Sequence, residues 1–347
     1  MERKEIILIG GIGDSKSFVG GEHSKNMHLL LALRECGRKV VPADLADLKK
    51  HPWKGIRALL ILILHPRANV IISSSLKRSG WLIKLLHFVK SKRNICFVGT
   101  GCEFSSRIAQ GQFKVKYFRN ISNIVVQGAS MKKELESVGL NAIVLPNFKS
   151  MDFMPALPTS KATEVISFVF LSRMNRKKGV NLIIECAQKL NKEGWGARFQ
   201  VDLYGSFEEK AYEEEIVGAI ADIPNVEYRG VLNLRDILGY EKLGEYTAML
   251  FPTFWPGEGF PGILIDALMA GVPVIASDWH FNSDIIEEGK TGFIIPTNDE
   301  SALYKAMKEV LENPARYTEM SVYCQQMAHK YDTKNVINED FLEKIKM

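Results

Sequence analysis

Short apolar segments alternate with longer segments of helical periodicity along the chain. The first apolar segment, residues 5–13 (EIILIGGIG), runs directly into glycines, as a strand does at the first loop of a doubly wound fold. Further strand candidates in the first half are residues 70–75, 95–101, 124–128 and 142–148. Because helical stretches separate these strands, the pattern predicts an α/β domain with a mostly parallel sheet over residues 1–150.

The second half repeats this alternation after a break. Residues 151–163 contain Pro155 and Pro158 with little periodicity, which is typical of a domain linker. Beyond the linker, strands are expected at residues 165–173, 199–206, 225–232 and 249–254. We therefore predict a second α/β domain over residues 164–330 and a helical ending over residues 331–347. A chain of 347 residues has the length expected of two domains.

The composition is that of an ordinary soluble globular protein, with 46% hydrophobic and 24% charged residues. Its longest obvious apolar run, Leu59–Leu64, is much shorter than the ~18–20 residues needed to cross a bilayer. Acids and glycines near the start predict a first strand and not a signal peptide. The five cysteines are scattered and lack ligand spacing, so we expect buried thiols in a reduced cytoplasmic location.

Charge is unevenly distributed between the two halves. Residues 1–150 contain 25 Lys/Arg against 10 Asp/Glu, a net charge of +15, and residues 151–347 contain 20 against 30, a net charge of −10. We therefore expect the first domain to meet an anionic partner. Nucleic acid is not that partner, because the chain has no recognisable nucleic-acid motif and the acidic second domain would repel it.

The basic residues are prominent between residues 51 and 100, where nine Lys/Arg occur without an acid. Within this stretch, residues 79–93 (SGWLIKLLHFVKSKR) combine large apolar side chains with cations. Two interpretations compete: an interfacial helix on an anionic membrane surface, or a core helix with a solvated basic face. The apolar residues 81–83 favour a partly buried helix with a basic rim. The six Lys/Arg between Lys77 and Arg93 keep the membrane hypothesis open.

A turn-rich, acidic segment stands directly before an apolar helical pattern within residues 251–296. Pro261 suits the first helical position, because a proline there lacks only an N–H that would be unpaired. The N–H groups of Gly262 and Ile263 would then point out of a helix start that favours phosphate. Glu258 precedes this helix start and Asp266 lies eight residues after Glu258. Taken alone, the two acids also fit an N-terminal helix acid and an exposed helix acid.

Glu258–x7–Asp266, inside EGFPGILIDALMAGVPVIAS, resembles the signature of glycosyltransferase family 4, the retaining GT-B enzymes of glycosyl transferases group 1. The resemblance implies an α/β fold of two Rossmann-like domains with a cleft between them. It also implies that Glu258 contacts the donor sugar, and that Asp266, where the family usually has Glu, holds the nucleotide ribose. The helical ending at residues 331–347 is then expected to return to the first domain.

A second motif, Arg173–x4–Lys178–Gly179, also resembles this family. The resemblance implies that the two cations clamp the donor diphosphate. As the glycosidic bond breaks, the leaving diphosphate gains charge, which fixed cations stabilise without waiting for solvent. The alternative is a solvated loop between a strand and a helix. In both cases we expect Arg173 and Lys178 to lie in a surface loop.

Other positions carry a weaker resemblance. Gly20 and Gly21 correspond to a glycine pair that faces donor phosphate and acceptor in the family, although a flexible turn is an equal interpretation. Leu232 corresponds to a position beside the nucleobase, where a core leucine would look the same. Thr100 and Gly101 stand where the family often has His-Gly, so no catalytic histidine is carried over. The chain has no D-x-D motif, and we expect no metal site.

Together these features predict a metal-independent, hexosyltransferase-like enzyme that moves a sugar from a nucleotide-diphosphate sugar to an acceptor hydroxyl with retention. The resemblance implies a lipid-linked saccharide, another glycan or a lipid as acceptor, in bacterial surface polysaccharide synthesis. We expect no cofactor beside the donor substrate. The expected location is the cytoplasm, with peripheral contact at the inner face of the membrane as a hypothesis. The alternative is a non-catalytic nucleotide-sugar or glycan-binding protein on the same fold, which Thr100 keeps open.

Overall fold

The computed structural model describes residues 5–13, 21–89, 93–157 and 165–347. The chain divides into two compact units, of which the first contains Met1–Ser150 and Tyr331–Met347 and the second contains Met151–Lys330. Each unit is built around one six-stranded sheet in which every neighbouring pair of strands is parallel.

The six strands of the first unit are mostly apolar. They are β1 (Ile6–Gly10), β2 (Val40–Asp44), β3 (Asn69–Ser74), β4 (Ile95–Gly99), β5 (Asn123–Val126) and β6 (Ala142–Val144). In space they follow the order β2-β1-β3-β4-β5-β6. All residues of β1, β3 and β4 are buried, because a parallel sheet carries helices on both faces and hides both sides of its central strands.

Helices connect these strands in sequence order. They are α1 (Gly21–Glu35), α2 (Trp53–Leu64), α3 (Leu76–Val89), α4 (Glu103–Ala109) and α5 (Ala129–Glu136), with a 3₁₀ turn at Val115–Phe118. Helix α1 packs Leu29 and Leu33 into the core formed with Ile6, Leu8 and Val98. The strand–helix alternation predicted for residues 1–150 is therefore the architecture of this unit.

The second unit repeats the arrangement on a new sheet. Its strands are β7 (Ile166–Leu171), β8 (Phe199–Tyr204), β9 (Val226–Tyr228), β10 (Ala248–Phe251), β11 (Val274–Ser277) and β12 (Gly292–Ile295), in the order β12-β11-β10-β7-β8-β9. Its helices are α6 (Val180–Lys192), α7 (Lys210–Ile220), α8 (Ile237–Gly244), α9 (Gly262–Met269), α10 (Asn282–Ile285), α11 (Glu300–Glu312) and α12 (Pro314–Ala328). Short 3₁₀ turns lie at Met151–Phe153, Arg176–Lys178, Gly196–Arg198 and His329–Tyr331.

The end of the chain packs on the first unit. Two short helices, α13 (Thr333–Val336) and α14 (Glu339–Lys344), stand where the sequence predicts one helix. Phe341 and Leu342 are buried in the same core as Leu33. Arg38 pairs with Glu339 at 2.7 Å between Nη2 and Oε2. These contacts attach residues 331–347 to the sheet that the chain builds first.

The composition predicts that no helix spans a membrane and that the cysteine thiols are buried. None of the helices in the described ranges combines the length and apolarity needed to cross a membrane. Cys96 and Cys186 are buried, and burial raises the pKa of both thiols to about 12. These two thiols therefore stay protonated at neutral pH and are poor nucleophiles.

One cation lies in the apolar interior of the first unit. Lys25 of α1 is 3% exposed, and its Nζ has no hydrogen-bond partner in the part of the chain that the structure describes. Burial lowers the pKa of Lys25 to about 8, against the attraction of the Glu22 carboxylate. At neutral pH the folded protein therefore holds a poorly compensated ammonium group.

We predict that Lys25→Met raises the free energy of unfolding at neutral pH by up to about 3 kcal/mol, because it removes this buried charge. The pKa of Lys25 is lower in the folded state than its ordinary value of 10.5, so wild type gains stability as pH rises from about 8. The advantage of the variant should shrink over that window in urea unfolding. An unchanged difference between about pH 7 and about pH 9.5 would contradict the prediction.

Candidate functional site

The second sheet has its topological switch point between β7 and β10. From β7 the chain proceeds to β8 and β9 on one side, and β10 leads to β11 and β12 on the other. In open parallel sheets, ligands bind beyond the carboxyl ends of the strands at such a point. The segment 173–179 follows β7, and the segment 252–261 follows β10. The two motifs that the sequence singles out therefore lie at the same edge of one sheet.

Lys178 and Glu258 form a buried ion pair at this edge. Lys178 Nζ donates a hydrogen bond to Glu258 Oε2, and both residues are less than a tenth exposed. Thr253 Oγ1 donates to the same oxygen at 3.1 Å. Burial lowers the pKa of Lys178, and the charge of Glu258 opposes that shift. The expectation of a surface position is wrong for Lys178, because its ammonium has a buried carboxylate partner 80 residues away in sequence.

Backbone geometry brings the two loops together. Gly179 follows Lys178 with a φ of 81°, and a Cβ built there would lie 2.4 Å from the carbonyl oxygen of Pro252. Only glycine fits both the left-handed conformation and this close approach. Phe254 N also donates a hydrogen bond to the Lys177 carbonyl oxygen at 2.8 Å. The glycine of the Arg–x4–Lys–Gly motif thus positions the lysine against the loop that carries Glu258.

Arg173 lies at the exposed side of the same site. Its Nη1 is 2.9 Å from Glu208 Oε1 in an ion pair with both side chains more than a third exposed. Its guanidinium carbon lies 5.3 Å from the centre of the Trp255 ring, and Lys178 Nζ lies 4.8 Å from that ring. The two predicted clamp cations therefore contact one indole. Arg173 does lie in a surface loop, as expected.

The role of two tryptophans in the site was not predicted from the sequence. Trp255 contacts both cations, and its carbonyl oxygen accepts a hydrogen bond from Trp279 Nε1 at 2.8 Å. Trp279 belongs to the segment 277–282 (SDWHFN), which replaces the glycine pair usual in the resembled family. This departure from the family pattern was the one signal in the sequence that the residues around Trp279 pack differently from those of the family.

Helix α9 begins directly after the Glu258 loop. It starts at Gly262, and Pro261 is its N-cap with φ −74° and ψ 109°, so the prediction of Pro261 as the first helical residue is wrong by one position. The extended ψ keeps the proline outside the helix. The N–H groups of Gly262 and Ile263 fall in the first turn, where an α-helix has no internal acceptors for them. The start of α9 can therefore bind an anion beside Glu258.

Asp266 is buried on α9, which excludes the alternative of an exposed helix acid. It is 4% exposed and accepts a hydrogen bond from Tyr240 Oη of α8 at 2.7 Å. Burial and the Asp266 charge raise the pKa of Tyr240, so its hydroxyl remains a donor. The Tyr240 ring stacks on Phe153 with ring centres 6.5 Å apart. A buried carboxylate held by a neutral donor keeps acceptor capacity for a further hydroxyl.

The remaining predicted positions lie on other elements. Leu232 is half-buried in the loop after β9, and Gly21 is the exposed first residue of α1. Gly20 lies outside the described residues. Thr100, after β4, donates to Glu22 Oε2 at 3.3 Å. In the described ranges, no group of three His, Cys, Asp or Glu side chains is arranged to hold a metal ion.

Glu22 is a further residue whose position at a site was not predicted from the sequence. It lies in the first turn of α1, and its Oε1 accepts hydrogen bonds from Gly11 N at 3.3 Å, Ser74 Oγ at 3.2 Å and Arg78 Nη1. Three of its partners, counting Thr100, end or directly follow strands β1, β3 and β4, and Arg78 lies in α3. This carboxylate therefore lies at the switch point of the first sheet, between β1 and β3.

Sequence comparison relates the second unit to known transferases. Residues 158–329 match the family Glycosyl transferases group 1. Phosphatidyl-myo-inositol mannosyltransferase of Mycobacterium leprae is 21% identical over 240 residues, covering 67% of this chain and 61% of that protein. D-rhamnosyltransferase WbpZ of Pseudomonas aeruginosa is 27% identical over 154 residues, covering 44% of this chain and 38% of that protein. The chain thus spans less than two thirds of the length of these curated relatives.

Structural comparison covers both units. The crystal structure of Anabaena HepE in complex with UDP has a TM-score of 0.76 at 14% identity and covers 99% of both chains. Sucrose-phosphate synthase from Thermosynechococcus elongatus has a TM-score of 0.76 at 15% identity, again covering 99% of both chains. Identities this low show the fold alone. That fold is the two-domain α/β GT-B fold, which confirms the predicted fold class.

We predict that Lys178→Met lowers the free energy of unfolding by about 3–5 kcal/mol, because it leaves the Glu258 carboxylate buried without its cation. Adding Glu258→Gln removes that orphan charge, so the double variant should recover most of the loss. The measurement is a double-mutant cycle by urea unfolding at neutral pH. The exposed Lys242–Glu245 pair serves as control, and Lys242→Met should cost less than about 1 kcal/mol. Simple additivity in the buried cycle would contradict the prediction.

Proposed function

This chain belongs to the glycosyl transferases group 1 family, and we propose that it moves a sugar from a nucleotide-diphosphate sugar to an acceptor hydroxyl. The observation that carries the proposal is the arrangement at the β7–β10 switch point: a buried Lys178–Glu258 pair, an exposed Arg173 that contacts the same Trp255 ring as Lys178, and a helix start directly after the Glu258 loop. Cations, a carboxylate and helix N–H groups at one sheet edge are the parts needed to hold a sugar diphosphate.

The proposed reaction makes specific demands on these groups. The bond between the anomeric carbon and the diphosphate oxygen breaks, the acceptor oxygen bonds to the same face of that carbon, and the hydroxyl proton passes to the leaving diphosphate. The anomeric configuration is therefore retained. The diphosphate gains negative charge as its bond breaks, and Arg173, Lys178 and the start of α9 stabilise it. In this proposal Glu258 contacts the sugar.

The buried pair explains why these charges are effective. Removing ions from water is costly, so a protein gains little stability by burying a lysine and a glutamate. The same desolvation strengthens the interaction of each charge with a bound substrate. The Trp255 ring and the Thr253 hydroxyl hold the two groups before substrate arrives. We infer that the pair is retained for catalysis and that the site is organised in advance.

The acceptor we propose is a lipid or a lipid-linked saccharide in bacterial surface polysaccharide synthesis. In support, one relative is named a phosphatidyl-myo-inositol mannosyltransferase, and another a D-rhamnosyltransferase. A fold neighbour, HepE, is described in complex with UDP-glucose. The proposed donor is a nucleotide sugar, as UDP-glucose is, and the proposed acceptor contains a lipid, as phosphatidyl-myo-inositol does. A cytoplasmic reaction with peripheral contact at the inner face of the membrane completes the proposal, since the donor is polar and the acceptor is anchored in lipid.

The test is sugar release from a panel of nucleotide-diphosphate sugars, with and without lipid-linked acceptors. A true donor should stabilise the folded protein by about 2.7 kcal/mol at 100 times its dissociation constant. It should also be slowly hydrolysed when no acceptor is present. A protein that is stabilised by the donor but never breaks the sugar–phosphate bond would be the non-catalytic binding protein, and the proposed transfer would be wrong.

Arg173→Ala is predicted to lower kcat/KM roughly 10²- to 10³-fold, because it removes a contact that strengthens as the diphosphate leaves. The free energy of unfolding should change by less than about 1 kcal/mol, since its ion pair is exposed. Arg176→Ala is the matched control: Arg176 has a similar exposure and pairs with Glu215. If both variants retain wild-type turnover, Arg173 is not part of the clamp.

Asp266→Asn is predicted to weaken donor binding by about 10- to 100-fold with little change in turnover, because a charged hydrogen bond to ribose is lost far from the reacting bond. Tyr240→Phe is the control, since it removes the neighbouring hydroxyl but keeps the carboxylate. Donor affinity is measured by calorimetry. Equal affinity of wild type and Asp266→Asn would mean that the Asp266 charge has a structural role and does not bind the donor.

Metal independence is also part of the proposal, because two protein cations and a helix start supply the positive charge that a divalent ion would otherwise bring. Sugar transfer should therefore continue after extensive chelation and dialysis. Complete loss of transfer, restored by magnesium or manganese, would show that a metal ion completes the diphosphate site.

A further inference from the structure

Helix α2 has its large apolar residues on the outside. Its buried side consists of Gly55, Ala58 and Leu62. The exposed side chains are large and apolar, each between 52% and 73% exposed: Trp53, Ile56, Leu60, Ile63 and Leu64. At ~100° per residue these five fall on one helix face about 100° wide. A helix on the surface of a soluble domain normally has the reverse arrangement.

The position of α2 on the first unit is fixed by its small and polar residues. Gly55 faces the Trp81 ring of α3 and Leu48. Lys54 Nζ donates to Asp44 Oδ2 at 2.7 Å and to the Ala46 carbonyl oxygen at 2.9 Å. These contacts hold the helix with its apolar face outward.

The end of α3 also exposes large apolar residues. Phe88 and Val89 are 71% and 64% exposed at the last turn of α3. Arg93 Nη2, four residues beyond Val89, donates to the Leu62 carbonyl oxygen in the last turn of α2 at 2.5 Å. This hydrogen bond holds the Arg93 side chain at the last turn of α2.

Fewer cations of the segment 77–93 are available to contact a membrane than the sequence suggests. Arg78 is bound to Glu22, Arg93 is bound to a carbonyl oxygen, and Lys84 lies over the rings of Phe113 and Tyr117. Lys90 and Lys92 lie outside the described residues. The burial of Leu82, Ile83 and Leu86 agrees with a partly buried helix.

Exposed cations instead lie within α2 and beside it. They are Lys49, Lys50, Arg57 and Arg67, and none of them has an ion-pair partner among the residues that the structure describes. Residues 48–102 contain no Asp or Glu. The exposed apolar face therefore lies within a basic stretch of chain that bears no compensating acid.

We propose that α2, together with Phe88 and Val89 of α3, is the surface by which this protein binds an anionic lipid bilayer. The apolar face enters the headgroup–acyl boundary, and Arg57 and Arg67 meet lipid phosphates. A second copy of the chain fits less well, because a two-fold interface would set these cations against themselves. A nucleic acid would leave the aliphatic face unused. The inference deepens the peripheral-membrane part of the proposed function.

The main test is flotation with vesicles of phosphatidylcholine, with and without phosphatidylglycerol, and it uses no donor or acceptor. The triple variant Ile56→Gln/Ile63→Gln/Leu64→Gln should bind phosphatidylglycerol vesicles at least about tenfold more weakly than wild type, because its apolar face is lost. The matched control is Val217→Gln/Val322→Gln/Tyr323→Gln, three exposed helical positions of the second unit, which should bind as wild type does. Arg57→Gln/Arg67→Gln should bind more weakly, and most clearly at low salt.

A second measurement reports insertion itself. Brominated acyl chains should quench the fluorescence of Trp53 in vesicle-bound protein, and Trp53→Phe should remove most of that quenching. No wild-type binding at low salt, or equal binding by wild type and the α2 triple variant, would overturn the proposal. So would a dimer of the free protein that the triple variant abolishes, because the face would then bind a second copy. None of these outcomes would contradict the proposed sugar transfer, which is tested separately with a soluble acceptor.

Discussion

The contact between Lys178 and Glu258 sets the geometry of the second unit's site. One partner follows β7 and the other follows β10, so their bond joins the two loops at the switch point of the sheet. Gly179 permits the close backbone approach that the bond needs, and Thr253 and Trp255 complete the surroundings of the two charges. A buried ion pair adds little net stability, but breaking it leaves an uncompensated charge. The loops are therefore held in one arrangement.

The fold could be predicted from the sequence because parallel sheets leave a strong pattern. Strands buried on both faces read as short apolar runs, and the helices between them read as longer amphipathic segments. The ends of strands were less predictable. Residues 142–148 and 225–232 were expected to be strands, whereas β6 is Ala142–Val144 and β9 is Val226–Tyr228. Each is the last strand at one edge of its sheet, where only one neighbour supplies hydrogen bonds.

The site was predictable as far as local chemistry allows. Residues after a strand and before a helix must lie at the carboxyl edge of a parallel sheet, which places both motifs correctly. Burial within a loop depends on a partner far away in sequence, and no local pattern identifies that partner. Lys178 was therefore assigned to the surface, although Glu258 buries it. The sequence likewise gives the net charge of a segment but not which of its cations have partners within the protein. Arg78 and Arg93 have such partners and therefore do not form a free basic face.

Each sheet has a carboxylate paired with a cation at its switch point, and the two pairs differ in their exposure to water. At each switch point a carboxylate accepts hydrogen bonds from a cation and from a hydroxyl: Glu258 from Lys178 and Thr253, and Glu22 from Arg78 and Ser74. The Lys178–Glu258 pair is nearly closed to water, whereas the Arg78 and Glu22 side chains are 24% and 17% exposed. Water weakens the interaction between partly exposed charges. A polar ligand can therefore compete for the Arg78–Glu22 pair more easily than for the Lys178–Glu258 pair. The buried pair is thus suited to fixed electrostatic work on a reacting bond, and the open pair to reversible contact with polar groups.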